Sequence, residues 1–321
     1  MAISTTSSDC YMTPAHFESR SNCLDAHLTG PASGAGFGNR IFEFAIFLGM
    51  ADYSRRRPRL NDPGIVKSYE QARKWLPNLE PHFQQMNKTQ CKVTKEIMFD
   101  ESCCTFDRQH VEEVRNSTAT GLKYTESYIQ GYKYLSLLPQ CYVRHLLKGS
   151  PEVERAADYE IFHNVTMRQY RSNLCIQIRR GDFLNHALYH VPDANYIRQA
   201  ASYIIAQNFF PMDVYVMGND HTFNEKTFLG WENVYLASDS RTRPINAEWE
   251  FSRMYCDAFL ITASASTYAW WGGYLSRGQK VYYNAQCCKQ AFMSQWKQSE
   301  YYPPEWIALN MTKEGIRPVN S

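Results

Sequence analysis

Asn173-Leu174-Cys175-Ile176-Gln177-Ile178-Arg179-Arg180-Gly181-Asp182 is the stretch that decides how this chain is read. Residues 173–178 are a short, mostly apolar run and read as a buried strand. Two guanidiniums, a glycine and a carboxylate follow where that strand ends. In an open α/β sheet, ligands bind just past the carboxyl ends of the strands. Arginine is the side chain whose planar fork matches a phosphate in two places. The segment therefore points to an anionic, phosphate-bearing ligand. Taken alone it is equally readable as a surface Arg–Asp pair after an ordinary strand, because a short basic motif has little specificity.

Outward from this stretch the pattern becomes regular. Ala194 to Gln207 predicts a helix, residues 213–217 a strand ending at Gly218-Asn219-Asp220, and residues 234–237 a strand ending at Ser238-Asp239. Ala247 to Tyr255 predicts a helix, residues 258–262 a strand, Ser264 to Leu275 a loop entering a helix, and residues 280–283 a closing strand. Strands alternating with helices imply parallel βαβ units. Upstream, Cys23 to Leu28 reads as a first strand, Gly30 to Gly38 as a loop, and Asn39 to Tyr53 as an amphipathic helix with Phe42, Ala45, Ile46 and Gly49 at helical spacing. Asp62 to Gln140 is polar, aromatic and loop-rich with little period. Leu137 to Lys148 and Val153 to Met167 read as helices. The expected organisation is α/β with two domains, residues 1–170 and 171–321.

Composition removes several function classes. The chain has 321 residues, 44% of them hydrophobic, ample for a packed core. Its 34 basic and 32 acidic residues leave a net charge of +2, with none of the basic excess of a nucleic-acid binder. The basic run Arg55-Arg56-Arg57-Pro58-Arg59 reads as a solvated loop after a helix. No run of 18 apolar residues is present, and the longest, Phe44 to Ala51, suits a globular helix. Residues 1–10 are polar and lack the basic flank and apolar centre of a signal peptide. The chain is thus expected to be soluble or to lack an upstream anchor. Ten cysteines without a CxxC pair argue against zinc and thioredoxin-type sites. Cys175 and Cys256 read as inert buried thiols, and Cys103-Cys104 and Cys287-Cys288 as the better disulfide candidates. Sequons at Asn87, Asn116, Asn164 and Asn310, with the cysteines, favour a secretory-pathway lumen.

Two further segments bear chemistry. Gly34-Ala35-Gly36-Phe37-Gly38-Asn39-Arg40 lies between a strand and a helix, where glycines let backbone approach an anion. It lacks the third glycine of a dinucleotide loop, and a tight turn accounts for it as well. Ser264-Ala265-Ser266-Thr267-Tyr268-Ala269-Trp270-Trp271-Gly272-Gly273-Tyr274 places hydroxyls at a helix start, where they can cap the helix or donate to phosphate. The paired tryptophans read as core. The nine histidines are scattered, and Glu248 and Glu250 read as surface residues of a helix, so no metal is expected.

Together and in this order, Gly36-Phe37-Gly38-Asn39-Arg40, Ile178-Arg179-Arg180-Gly181-Asp182 and Ser266-Thr267-Tyr268-Ala269-Trp270-Trp271-Gly272-Gly273-Tyr274-Leu275 resemble the α1,2-fucosyltransferase family, of glycosyltransferase family 11 type, and its nematode members above all. Ser252 to Ala258 adds to the likeness, which spans roughly residues 24 to 290. The resemblance implies two Rossmann-like domains facing a cleft, a GT-B-type glycosyltransferase, with an acceptor-side N-terminal domain and a nucleotide-sugar-binding C-terminal one. It implies inverting transfer of fucose from GDP-fucose to a galactose-containing glycan, without metal or other cofactor and without nucleic acid, in the Golgi lumen. Membrane attachment would come only through an anchor not seen in this sequence.

Residue by residue, the resemblance gives Arg179 the β-phosphate of the donor and the charge of the leaving group. Asp182 is a second catalytic candidate, and Arg180 and Asp182 hold the motif's shape. Gly38 and Asn39 face donor sugar and diphosphate, Ser266 and Thr267 bind phosphate, and Asp239 or Asp220 reads the guanine edge. Many family members carry a histidine where this chain has Gln177, and an asparagine where it has Ala265. Those departures keep alive a non-catalytic carbohydrate- or nucleotide-binding protein. Protein O- and α1,6-fucosyltransferases share the arginine-rich strand end, so the motif is compatible with either of those activities too.

Overall fold

The computed structural model describes residues 15–79, 91–99, 103–126, 128–162, 168–238 and 243–319. The chain divides into two compact units, one of residues 1–150 with 295–303, the other of residues 151–294 with 304–321. The division falls at Ser150, not near residue 170. The helix Pro151–Tyr159 is the reason: Asp158 takes the hydroxyl of Tyr255, on the helix Ala247–Tyr255 of the second unit.

In the first unit, β1 (Cys23–His27), β2 (Arg57–Arg59), β3 (Lys95–Met98) and β4 (Gly121–Thr125) form a parallel sheet ordered β2-β1-β4-β3. The segment from Asp62 to Gln140, read from sequence as loop-rich, in fact supplies β3, β4 and the helices Pro63–Trp75 and Arg108–Asn116. The strands are short, and the helices, capped by Asp62 and Asp107, bury only a few residues each among polar ones. The helix Phe37–Tyr53 is buried over most of its surface, with Ile41, Phe42, Phe44 and Ile46 all at 0% exposure.

The basic run is the second departure. Arg57 to Arg59 is strand β2, and Arg56 and Arg59 are buried rather than solvated. Arg56 spends its guanidinium on the carbonyls of Cys23, Ser117 and Thr120. Arg59 grips Asp25 through two bonds of 2.6 Å. A buried guanidinium is tolerated where its terminal nitrogens are met in this way, although the Arg56 Nε has no partner among the described residues. Past the ends of β1 and β4, the buried carboxyls of Glu43 and Glu126 accept from the amides of Gly30, Thr29 and Ile129. Burial and then the charge of Glu126 hold the Glu43 carboxyl well above its ordinary range.

Residues 295–303 return to this unit and are fastened there by Glu300. Its carboxylate accepts from the Phe106 amide at 2.8 Å and pairs with Lys297 at 2.9 Å and Lys133 at 3.0 Å.

The second unit carries β5 (Ser172–Ile178), β6 (Met212–Gly218), β7 (Val234–Leu236), β8 (Ala258–Ile261), β9 (Lys280–Asn284), β10 (Ile307–Thr312) and β11 (Gly315–Val319). The sheet runs β11-β10-β9-β8-β5-β6-β7, parallel except for β11. β9 is therefore not the last strand, as its sequence implied. Apart from the added β11, this is the Rossmann order, which reverses between β5 and β8. Leu174, Ile176 and Ile178 join one core layer with Ile197, Ala200 and Ile204 of the helix Ala194–Ala206. Each such aliphatic side chain contributes roughly 1.5–3 kcal/mol by leaving water. Alternation then turns Cys175 and Gln177 to the opposite face. Cys175 is no thiol there: it is bonded to Cys256, with Cα atoms 5.6 Å apart. Cys23–Cys91, Cys103–Cys104 and Cys287–Cys288 are also disulfides. Trp270 and Trp271 are core, as read, both at 0% exposure.

Candidate functional site

The arginine motif lies at the reversal of strand order in the second unit. β5 ends at Ile178 between β6 and β8, so the residues that follow all three strands are neighbours. Gly218 closes β6 with φ +149°, and a Cβ there would stand 2.2 Å from the Ile178 carbonyl. Only a glycine lets the two strand ends approach so closely. A Cβ on Gly181 would meet the side-chain amide nitrogen of Asn219 at 2.3 Å, so a larger residue there would displace that side chain.

The two arginines have different partners. Arg180 extends its Nε to Asp220 at 3.2 Å and lies 3.6 Å over the Phe223 ring. Its backbone amide donates to the Asn219 side chain. Asp220 in turn caps the helix His221–Thr227 by accepting from the Phe223 amide. Arg180 thus holds the shape of the motif through Asp220, and Asp182 serves Arg179. Arg179 reaches both oxygens of Asp182, at 2.9 and 3.0 Å, within an exposed turn. Its Nε is buried and has no acceptor among the described residues. A fixed guanidinium with one donor unspent is what an arriving phosphate needs.

β8 brings the third motif to the same place. Ser266 caps the helix Thr267–Leu275, accepting from the Ala269 amide at 3.3 Å, and Thr267 is the first helical residue. The positive end of that helix favours an anion. Ser264 binds the Asn284 carbonyl at 2.5 Å and Thr262 the Gln177 carbonyl at 2.9 Å, so the hydroxyls around Ser266 tie neighbouring strand ends together. The structure therefore unites Arg179, Arg180, Asp182, Ser266 and Thr267. Gly38 and Asn39 lie in the other unit, in the first turn of the helix Phe37–Tyr53, while Gly34, at φ +72°, ends the short helix Thr29–Ser33 before it. Asp239 falls outside the described residues.

One group was not legible as part of the site. Glu248 is buried, and Gln177, Arg243 and Tyr268 all contact its carboxyl, Arg243 at 3.4 Å. Burial raises this carboxyl, and the Arg243 charge and the hydrogen bonds of Gln177 and Tyr268 oppose the rise. Glu250 is buried as well and pairs with Arg253. Both were expected at the surface. The signal available was Trp249 and Phe251 around them: a helix apolar on adjacent faces has no free side for a carboxylate. Gln177 thus reaches Glu248 from the face of β5 opposite Ile176 and Ile178. Among the described residues, no cluster of three or more His, Cys, Asp and Glu side chains is placed to hold a metal ion.

Residues 134–310, more than half of the chain, match the sequence profile described as Glycosyl transferase family 11. The chain belongs to glycosyl transferase family 11. Among relatives of this glycosyltransferase, a Galactoside 2-alpha-L-fucosyltransferase of Caenorhabditis elegans is 27% identical over 287 residues, covering 87% of this chain and 78% of that protein. Solved structures share the fold of this family 11 member. NodZ alpha-1,6-fucosyltransferase soaked with GDP-fucose aligns with TM-score 0.51 at 10% identity, over 94% of this chain and 99% of that one. A mutant of Arabidopsis thaliana FUT1 in complex with GDP aligns with TM-score 0.52 at 12% identity, over 94% and 83%. The parallel sheets with flanking helices are those of a GT-B-type glycosyltransferase fold.

Proposed function

We propose that this family 11 glycosyltransferase transfers L-fucose from GDP-fucose, with inversion, to the 2-hydroxyl of a terminal galactose on a glycan. The observation that carries the reading is Arg179: an anchored guanidinium with an unspent Nε, at the strand-order reversal and beside a helix start. The acceptor oxygen forms its bond to the anomeric carbon as the bond to the β-phosphate oxygen breaks. The electron pair stays with GDP, where Arg179 and the helix terminus balance the charge that develops, and the proton of the acceptor hydroxyl passes to solvent. Positioning supplies much of the remaining rate. The name carried by the nematode relative supports the galactoside acceptor. The first unit then takes the acceptor, and Asp239 reads the guanine. The disulfides support a lumen of the secretory pathway, in keeping with the Golgi.

Calorimetric titration with GDP and GDP-fucose, followed by product analysis on β-galactosides, tests the reading. Donor binding followed by an α1,2-linked product is the expected result. Binding without transfer to any acceptor favours the reading that Gln177 supports, a nucleotide-binding protein that kept the fold. Absence of GDP binding defeats both.

A further inference from the structure

Two of the four sequons lie among the described residues, and the folded chain treats them differently. Asn116 is the last residue of the helix Arg108–Asn116, and both it and Thr118 are exposed. Ser117 between them is extended, at φ −64° and ψ 131°. Its carbonyl accepts from Arg56 Nη2 at 2.7 Å, and Arg56 is itself buried. The backbone of this sequon is therefore anchored from below while its two recognition side chains stand in solvent.

Asn310 has another setting. It lies in β10, paired across the hairpin with Arg317 of β11. The Thr312 hydroxyl of that sequon donates to the Gly315 carbonyl at 2.8 Å and accepts from the Glu314 amide at 3.2 Å. Offering this hydroxyl to an enzyme requires these two turn bonds to be given up.

The redox state supplies an independent observation. Cys23–Cys91 and Cys175–Cys256 bridge residues 68 and 81 apart, and none of the described cysteines is a free thiol. Such bonds persist in oxidising compartments, where sequons are also read. We propose that Asn116 carries an N-linked glycan and that Asn310 stays bare in the folded protein. The Asn116 amide nitrogen bonds to the anomeric carbon of a polyprenyl-diphosphate-linked oligosaccharide. The bond from that carbon to phosphate breaks, the lipid diphosphate leaves with the electron pair, and the amide proton passes to solvent.

The position carries a functional consequence. Residues 117–120 precede β4 and lie at the amino end of the parallel sheet, with the Thr120 carbonyl bound to the Cys23 amide at the start of β1. The segments after β1 and β4, which lead to Gly38, Asn39 and Glu43 in the helix Phe37–Tyr53 and to Glu126, are at the opposite end. A sugar on Asn116 leaves those segments open.

The inference rests on the luminal setting proposed above. The full chain, expressed behind a secretory leader in insect cells, is purified and treated with an amidase that converts a glycosylated asparagine to aspartate. Peptide mass spectrometry is expected to show that conversion at residue 116 and not at residue 310. Asn116→Gln and Thr118→Ala each lose one glycan step on a gel, and Thr118→Ser keeps it. Both glycan-free variants retain transfer within about twofold, as surface substitutions do. An unmodified Asn116 in the secreted, folded protein overturns the inference and leaves the luminal setting standing. A cytosolic native chain overturns the setting instead.

Discussion

Arg179 and Arg180 are adjacent, identical in chemistry and unequal in role. Arg180 is occupied by Asp220, Phe223 and the Pro192 carbonyl. Arg179 is held by Asp182 and the Phe183 ring and keeps its Nε in reserve. Arg179→Ala is expected to lower kcat by about 10²–10³, the scale for losing one charge-stabilising donor in a transition state. Arg179→Lys is expected to fall nearly as far, because an ammonium cannot hold Asp182 and present a planar fork together. Steady-state kinetics on purified protein checks both, and a variant with near-normal kcat refutes the role. The motif was legible because a basic pair after an apolar run is a local signal. Glu248 was not, because its meaning depends on Gln177 and Tyr268, which are distant in sequence and meet it and its near neighbour Arg243 only in the fold.

At the scale of elements, the Rossmann order could be read from the alternation between residues 172 and 284, where each strand is a run of aliphatic residues ended by small polar ones. β2 and β3 were hidden for a physical reason. β2 is arginine, proline, arginine, and its guanidiniums are received by the Arg20 carbonyl and by Asp25. No pattern of hydrophobicity encodes such a strand. The junction of β5 and β6 offers a test. Gly218→Ala places a methyl against the Ile178 carbonyl at φ +149°. The expected cost is on the order of 1–3 kcal/mol, with a larger fall in transfer, since Arg179 begins where the strands are forced apart. Denaturant unfolding and kinetics on the same sample measure the two effects. The Cys175–Cys256 bridge ties β5 to the residues just before β8. Replacing both cysteines by alanine is expected to lower unfolding stability by about 2–4 kcal/mol, and an unchanged midpoint in urea would contradict it.

For the molecule as a whole, the return of residues 295–303 to the first unit is the feature to test. Burial alone would raise the Glu300 carboxyl, but the Phe106 amide, Lys297 and Lys133 overcome it and hold it at about 2. An unfolded glutamate titrates near ~4.3. A depressed carboxyl contributes its full stability above the unfolded value and loses it as pH falls through the folded one. Thermal midpoints should therefore drop more steeply in the native protein than in Glu300→Gln between about pH 4 and pH 2. Parallel curves for the two proteins would show that Glu300 fastens nothing. The same return also sets an order of events during synthesis. Domains generally fold as units, the N-terminal one first as the chain emerges. Here the first unit lacks its last piece until residue 303 has left the ribosome, after most of the second unit has been made. The N-terminal half must wait, incomplete, for a segment encoded near the other end of the chain.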